Sequence, residues 1–594
     1  MNHLDQKNIL VLGLGASGLA LARWCVRHGA KVTVADTRPA PPQLETLKSS
    51  LPDVAFIHSE MNEALFASAP FDMVLRSPGL SPASIAGVMN AAEARGTARG
   101  NELSLFAHAL ADLRQDRGYS PQVIAITGTN GKTTVTSLAG QLIQRAGKTV
   151  AVAGNIGPTL LDTLAEKLDA ALQAQADAAA KAAAEEQEQE LEKAKADKQQ
   201  AAALTAAVSP DSDTEDKPEE GDDVEPREPV EAGDLFEKDD ADEPALMPVM
   251  AVIAAEPPPL PALPALPEVW VLELSSFQLD GVNNFEPTVA TVLNVSQDHL
   301  DWHDTMEAYA QAKNRIYGHG LMFLNRDDPL VMAALPKPPP PVKGKQPLPR
   351  PYLTFGSNSP ERPGDYGIET VNGMAWLVRA TEADETFKRR KDEEVVLFIQ
   401  RLMPMDALRI RGRHNAINAL AALGLAVAAG CNMAPMLHGL REYRGEPHRV
   451  EPVAVIRDVE YFDDSKGTNV GATVAALAGL GEDRKLVVIL GGEGKGQDFL
   501  PLAAPVSRYA RAVILIGRDG PAIRSALEGT SVPLMDAATM EEAVSMASQH
   551  AKTGDAVLMS PACASFDMFD NYEHRAQAFH AAVQALALDE GVTL

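Results

Sequence analysis

Between Val123 and Val135 the sequence VIAITGTNGKTTV sets Gly128, Thr129, Asn130, Gly131, Lys132, Thr133 and Thr134 directly after an apolar run and before a helical pattern. Those residue types suit a polyphosphate. A glycine-bearing loop exposes backbone amides, Lys132 supplies a cation at the β and γ phosphates, and the Thr133 hydroxyl offers an oxygen to Mg²⁺. The loop departs from the Walker A consensus at one place, since Ile126 stands five positions before Gly131, where that consensus has glycine. Nearer the N-terminus, VLGLGASGLA at residues 11–20 holds Gly13, Gly15 and Gly18 in the G-x-G-x-x-G pattern, and Asp36 follows 18 residues after the third glycine. This matches a dinucleotide fingerprint. The physics asks only for a tight turn, free amides and a helix N-terminus near some phosphate, so a nucleoside diphosphate fits equally well. Two cradles imply two phosphorylated ligands, a nucleoside triphosphate at Lys132 and a nucleotide-linked compound at Gly13 to Gly18. A nicotinamide oxidoreductase accounts for the Gly13 to Gly18 fingerprint and Asp36 but leaves Lys132 without a purpose.

The elements that must position these residues are α/β in type. KNILVLGLGASGLALARWCVRHGAKVTVADTRP reads as strand, glycine turn, amphipathic helix and second strand, the opening unit of a nucleotide-binding sheet. A second α/β stretch starts at Val123 with a buried strand, the Lys132 loop and a helix to about Ala146. A third begins after Gly445, with KLVVILGG, AVILIG and AVLMS as strands between helical patterns. Between them, HNAINALAALGLAVAAG reads as an apolar helix and Pro336 to Pro351 as an exposed loop. The expected architecture is three domains: a Rossmann-like N-terminal sheet over 1–101, a central P-loop-type ATPase sheet over 102–445, and a Rossmann-like C-terminal sheet over 446–594.

The central stretch is interrupted. From about Leu164 Ala, Glu, Gln and Lys dominate without a good apolar stripe, a composition compatible with a solvated helix, and an acidic run and the Pro-rich EPPPLPALPALP follow. Residues 170–266 therefore read as a disordered acidic and Pro-rich insertion, either a spacer or a docking tail, because such a composition buries too little apolar surface to offset chain entropy. Residues 209–244 hold 17 acidic against three basic residues, so half of the chain's formal charge of −28 lies in this one segment. That acidity argues against nucleic acid as a partner. Three dispersed cysteines, Cys25, Cys431 and Cys563, support neither a disulfide framework nor a cysteine-based zinc cluster. No apolar run approaches the roughly 18 residues of a membrane span, and the N-terminus lacks a basic leader with a cleavage site. A cytoplasmic monomer without membrane insertion is expected.

In order along the chain, GTNGKTT, ELSSFQL, NVSQDHLD, AYAQAKNRIY, GRHNAINAL, PHRVE, DDSKGTN and GGEGKGQD resemble the Mur ligase family, as do GLGASG, DTR, RSPG, GNIG and SPACASFD. The resemblance spans all three α/β stretches and skips the insertion. It implies an ATP-dependent, amide-bond-forming ligase of peptidoglycan precursor synthesis. The pattern is most similar to the branch that adds D-glutamate to UDP-N-acetylmuramoyl-L-alanine through an acyl phosphate, releasing ADP and phosphate; the D-N-P-R motif of the diaminopimelate-adding branch does not occur.

The resemblance also implies roles. Glu273 and Thr133 hold one Mg²⁺, and His299 a second, helped by Lys313 as a CO₂-derived carbamate; Lys132, His299 and Lys313 form the catalytic group. Read without the family, Glu273 is a strand-end carboxylate facing water, His299 a structural histidine and Lys313 a solvated helical charge. Neutral imidazole on a hard ion is unusual, and carbamylation requires Lys313 to be neutral, hence desolvated or near other cations. ATP is implied to meet Gly128 to Thr134 together with Asn415, Asn418, Arg449, Asp464 and Lys466. Helix capping remains the rival for Asn415, and surface ion pairs for Arg449 and Lys466. The UDP-linked substrate is implied to contact Gly15, Ser17, Asp36, Thr37, Arg38, Ser77, Gly79 and Asn155, and D-glutamate Thr468, Lys495, Ser565 and Phe566.

Overall fold

The computed structural model describes residues 2–67, 70–155, 157–206, 260–337, 350–383, 396–482 and 484–592, the side chains of Asn2, Ala67 and residues 200–206 excepted. It divides into two compact units, residues 1–171 with 262–594, and residues 172–261.

The first sheet is parallel, with strand order β3-β2-β1-β4-β5. Its strands are β1 Asn8–Leu12, β2 Lys31–Asp36, β3 Ala55–His58, β4 Met73–Arg76 and β5 Ala98–Asn101. The chain reverses its direction of sheet growth between β1 and β4, and such a switch point leaves a crevice at the strands' C-terminal ends. Gly13, after β1, and Ser77, after β4, stand on either side of it.

The second sheet is also parallel, with order β11-β10-β9-β6-β8-β7. It consists of β6 Gln122–Thr127, β7 Val150–Gly154, β8 Val269–Glu273, β9 Val289–Val292, β10 Leu321–Asn325 and β11 Tyr352–Phe355. β6 and β8 read as unbroken apolar runs because both their faces are covered. Over β6 packs the helix Lys132–Arg145, through Val135, Leu138 and Leu142, and the helix Arg413–Ala428 lies against that helix and against β9, β10 and β11, burying Ala416, Ala419, Leu420 and Leu423. An antiparallel meander that the sequence patterning did not disclose follows: β12 Tyr366–Val371, β13 Met374–Glu382 and β14 Leu397–Pro404.

The third sheet has order β15-β16-β20-β17-β18-β19, comprising β15 Glu451–Ile456, β16 Val459–Asp463, β17 Leu486–Gly491, β18 Ala510–Ile516, β19 Leu534–Asp536 and β20 Ala556–Met559. It is parallel apart from the β15–β16 hairpin, which forms its edge.

The helix Leu160–Ala206 enters the expected insertion. Leu160, Leu161, Leu164, Leu168 and Ala171 are buried at three- and four-residue spacing, one apolar stripe on the core. Beyond Ala171 the stripe ends and the described side chains to Gln199 are almost all exposed. Residues 170–206 of the expected insertion are thus helical, and the acidic run at 209–244 lies outside the described residues. Packing resumes at Leu263 and Leu266, both buried, slightly before the expected end at 266. Most of the loop expected at Pro336 to Pro351 also lies outside the described residues. Among the described residues no helix is long and apolar enough to cross a membrane.

Candidate functional site

The Lys132 loop leaves the C-terminal end of β6, the strand between β8 and β9, so residues ending three adjacent strands surround it. Gly131 sits at the N-cap of Lys132–Arg145 with φ +83°, a left-handed conformation that favours glycine. A Cβ there would lie 2.8 Å from Asn418 Oδ1, so the helix Arg413–Ala428 reads the same position sterically. From the loop after β9, the Asn294 side chain accepts from the Asn130 amide at 2.8 Å and donates to the Asn130 carbonyl at 3.1 Å. The Lys132 ammonium donates to the carbonyls of Gly128 and Thr129, both at 2.9 Å. Desolvation lowers its pKa, with Glu273 opposing and Arg449 reinforcing the shift.

Glu273 ends β8 and is buried. Its Oε1 accepts from Asn155 Nδ2 at 3.0 Å, whereas its Oε2 is buried with no hydrogen-bond partner. A carboxylate oxygen left bare in the interior is costly. A bare carboxylate oxygen is the donor type that a hard divalent cation takes. Asn155 is committed to Glu273, since its backbone amide also donates to the Glu273 carbonyl at 2.8 Å.

Lys313, on the helix Met306–Asn314, is buried, and its ammonium donates to the Gly128 carbonyl at 3.0 Å, the acceptor that Lys132 also uses. Burial, and then the nearby Lys132 charge, hold its pKa well below the usual lysine value. Its ammonium stands 4.4 Å from the centre of the Tyr309 ring, one helical turn earlier, and the Tyr309 hydroxyl lies 3.3 Å from Thr129 Oγ1. His299 adopts φ +54°, with Nε2 3.6 Å from Asp298 Oδ2 and its ring against Phe277. Desolvation lowers the His299 pKa, Asp298 opposes, and Lys132 and Lys313 add to the lowering.

Asn130, Gly131, Thr134, Asn415 and Asn418 line one wall of a cleft of about 120 Å³, and Arg449, Asp464 and Lys466 line the other. Arg449 Nη2 donates to Thr133 Oγ1 at 2.7 Å, joining the turn before β15 to the glycine loop. Asn415 Nδ2 donates to the Arg411 carbonyl, and Asn418 Nδ2 donates to Asn415 Oδ1 at 3.2 Å, so the two amides form a chain along one helix face. Burial raises the Asp464 pKa to about 7, against a 2.6 Å bond from the Ser560 hydroxyl. Lys466, its pKa lowered chiefly by desolvation and then by Arg449, lies 3.7 Å from the centre of the Tyr572 ring.

In the first sheet, Gly13 takes φ +85°, and a Cβ on Gly18 would lie 2.0 Å from the Gly13 carbonyl oxygen, so the turn closes only on glycine. Asp36 is buried at the end of β2. Its Oδ2 accepts from the Leu14 amide at 2.7 Å and from Arg38 Nη2 at 2.8 Å, while Oδ1 accepts from the Arg38 amide and Nε, both at 2.9 Å. Burial raises its pKa, but the Arg38 and amide hydrogen bonds outweigh that and hold it down at about 2. Both oxygens thus tie the glycine turn to Arg38, whose side chain, like Thr37, stays exposed. Gly15 and Ser17 lie at the start of the helix Ala16–Arg27, and Ser77 and Gly79 follow β4 across the switch point.

The residues implied for the amino acid are less gathered. Lys495, at φ +51°, places its ammonium 5.6 Å from the centre of the exposed Phe566 ring, next to the buried Ser565. Thr468 lies in the loop after Lys466, its amide donating to the Lys466 carbonyl.

Several participants went unread in the sequence. Asn469 caps the helix Val470–Gly481, exchanges amide hydrogen bonds with Asn130 and donates to Asp298 Oδ2 at 3.4 Å. Its place before an apolar helix signalled the cap, not the contact. Tyr309 was legible as the residue four before Lys313 on one helix face. Asn294 and Asp298 stand in NVSQDHLD and Ser560 in SPACASFD, but nothing in those motifs signalled the contacts they make.

Three family descriptions match: "Mur ligase MurD-like, N-terminal domain" over residues 7–98, "Mur ligase middle domain" over 126–211 and 262–345, and "Mur ligase, glutamate ligase domain" over 448–563. Curated relatives named UDP-N-acetylmuramoylalanine--D-glutamate ligase share 54% identity in Albidiferax ferrireducens, 52% in Polaromonas sp. and 48% in Burkholderia pseudomallei. The matches cover 100%, 100% and 99% of this chain and 98%, 100% and 98% of those relatives.

Proposed function

The chain belongs to the Mur ligase family, and from that premise we propose that it joins D-glutamate to the L-alanyl carboxylate of UDP-N-acetylmuramoyl-L-alanine while ATP becomes ADP and phosphate. A carboxylate oxygen attacks the γ phosphorus, the bond to the β,γ-bridging oxygen breaks, and ADP leaves with its electron pair. The amine nitrogen of D-glutamate then attacks the acyl carbon, a proton leaves that nitrogen, and the tetrahedral intermediate expels phosphate. Anion must meet polyanion in the first step, so cationic groups have to converge on one point. Arg449 and Lys466 line the cleft, and Lys132 is held by the glycine loop beside it, on the Gly128 and Thr129 carbonyls.

The observation that carries the reading is the joining of the two walls: Arg449 reaches Thr133 Oγ1 from the third sheet at 2.7 Å, while Asn415 and Asn418 border the same cleft from the second. In this reading the asparagine amides meet the adenine, Arg449 and Lys466 the triphosphate, and Asp464 the ribose. Thr133 and Glu273 would hold Mg²⁺, which when bound screens phosphate and carboxylate charge; the bare Glu273 Oε2 supports this. For Lys313 we read carbamylation, in which the neutral amine bonds to CO₂ and releases a proton. Its burial and depressed pKa favour the neutral amine that this requires, and the carbamate would assist His299 at a second Mg²⁺. Gly15, Ser17, Arg38, Ser77 and Gly79 would take the UDP group, with Asp36 orienting the turn. Lys495, Thr468, Ser565 and Phe566 would take D-glutamate.

We assign residues 1–101, 102–445 and 446–594 to sugar nucleotide, ATP and amino acid. The working form is a monomer, because one chain supplies both walls of the cleft, and the need for ATP suits the cytoplasm. The test incubates purified protein with ATP, Mg²⁺, UDP-N-acetylmuramoyl-L-alanine and either D- or L-glutamate, following ADP and the new peptide. Product is expected with D-glutamate alone; equal turnover of both enantiomers, or none of either, overturns the proposal.

A further inference from the structure

Behind the turn that carries Arg449, four donors meet that the proposed reaction does not use. His448 Nδ1 lies 2.7 Å from Asp463 Oδ2 and 3.8 Å from Glu451 Oε2, and His580 Nε2 lies 3.1 Å from the same Asp463 oxygen. One donor atom from each of the four residues falls within 4.8 Å of the others. They come from separate elements: the turn before β15, the first residue of β15, the last of β16, and the helix Tyr572–Asp589. A tetrahedral ion with bonds of about 2.0–2.2 Å holds its donors roughly 3.3–3.6 Å apart, so the 2.7 Å pair must open by about 0.6 Å and a pair at the 4.8 Å limit must close by about 1.2 Å, movements open to the three partly exposed side chains.

The second shell is in place. The Asp463 side chain is fully buried, and its Oδ1 accepts from the Ser465 amide at 2.9 Å and the Ser465 hydroxyl at 2.5 Å, which turns Oδ2 toward both imidazoles. The other three side chains are partly open to solvent, leaving an entry path. Two imidazoles and two carboxylates suit a zinc-class ion, whereas Mg²⁺ and Ca²⁺ take oxygen donors.

The cluster also sits where a clamp has an effect. His448 and the β-branched Val450 both adopt left-handed backbone, φ +62° and +51°, an arrangement that only surrounding contacts maintain. Glu451 Oε2 accepts from the His448 amide at 2.8 Å, and Arg449, between the two strained residues, reaches Thr133.

We propose that His448, Glu451, Asp463 and His580 form a structural site for a zinc-class divalent cation, separate from the Mg²⁺ sites, that clamps the 448–450 turn and fixes the reach of Arg449 to the glycine loop. The rival is a metal-free cluster in which both imidazoles donate protons to Asp463. A cation takes each imidazole nitrogen in place of its proton, which a neutral imidazole passes to its other ring nitrogen and an imidazolium releases.

The experiment titrates Zn²⁺ and Co²⁺ into chelator-treated full-length protein under excess Mg²⁺, by calorimetry in buffers of different ionisation enthalpy and, for Co²⁺, by visible absorption. The parent is compared with His580→Gln and Glu273→Gln, with circular dichroism as the fold control. Gln at 580 keeps an amide donor for Asp463 but removes the imidazole ligand. Expected are one ion per chain, affinity at least about 100-fold weaker in His580→Gln, the upper end of what loss of a mere second-shell partner costs, and parental affinity in Glu273→Gln. Parental affinity in folded His580→Gln, or no ion retained by the parent against Mg²⁺, overturns the proposal. Should His580→Gln not fold, His580→Asn supplies the same comparison.

Discussion

Gly131→Ala separates the backbone's demand at the glycine loop from the cleft's demand, because the molecule contains its own control. Gly131 and Gly147 have nearly the same φ, +83° and +84°. At Gly147 an added Cβ meets nothing within 4 Å, whereas at Gly131 it lies 2.8 Å from Asn418 Oδ1. Each alanine therefore bears a left-handed cost of about 1–2 kcal/mol in stability. Only Gly131→Ala pushes on Asn418, which is linked to Asn415 Oδ1 at 3.2 Å. Moving that amide forfeits one neutral hydrogen bond inside the protein, which shows in stability, and one to the base, which shows in catalysis. The bond to the base is about 0.5–1.5 kcal/mol, or about 2- to 13-fold in kcat/KM for ATP. The assay is ADP formation at saturating sugar nucleotide and D-glutamate with ATP varied, beside denaturant unfolding of both variants. If kcat/KM for ATP in Gly131→Ala lies within twofold of that in Gly147→Ala, Asn418 does not read the nucleotide as argued.

Other outcomes follow from the same geometry. Arg449→Ala should lower kcat by about 10²–10³, as loss of one preorganised donor to a developing charge does, and Arg449→Lys should recover only part of it; steady-state kinetics check both. Supplying ¹³C-bicarbonate should give a carbamate carbon resonance in the parent that Lys313→Arg lacks, and identical spectra would dismiss the modification. Excision of residues 172–261 with a short Gly-Ser join should leave kcat/KM within about twofold, because the apolar stripe of its helix ends at Ala171; a larger loss with retained fold would make the segment functional. For Asp36 the folded pKa of about 2 lies below its ordinary value of 3.8, so its stabilisation is complete above pH 4 and fades as the pH falls toward 2. After discounting for solvent screening this amounts to about 1–2 kcal/mol, measurable as the parent's advantage over Asp36→Asn in unfolding experiments at pH 7 that narrows near pH 3.

The parts of the site that were legible in the sequence are those whose meaning is local. Gly131 needs its φ, Lys132 follows within the same turn, and Gly13 to Gly18 form one strand-to-helix corner, so spacing alone carries the chemistry. Lys313 was legible only through the family resemblance, because a lysine in AYAQAKNRIY has no pattern that distinguishes burial from exposure. Asp36 is instructive in another way. Its position at the end of β2 was readable, but the occupation of both its oxygens by Leu14 and Arg38 was not.

The sequence by itself determined three α/β stretches, two phosphate-type loops and an interruption over about 170–266, since apolar period, glycine placement and composition act over a few neighbouring residues. Tertiary structure alone decided which strand ends stand side by side, that Arg449 meets Thr133, that Lys132 and Lys313 share the Gly128 carbonyl, and that His448 and His580 turn to one oxygen of Asp463. Those contacts join residues far apart in the chain. They are set by strand order and helix packing, which depend on the sum of many weak burial terms rather than on any short run of residues.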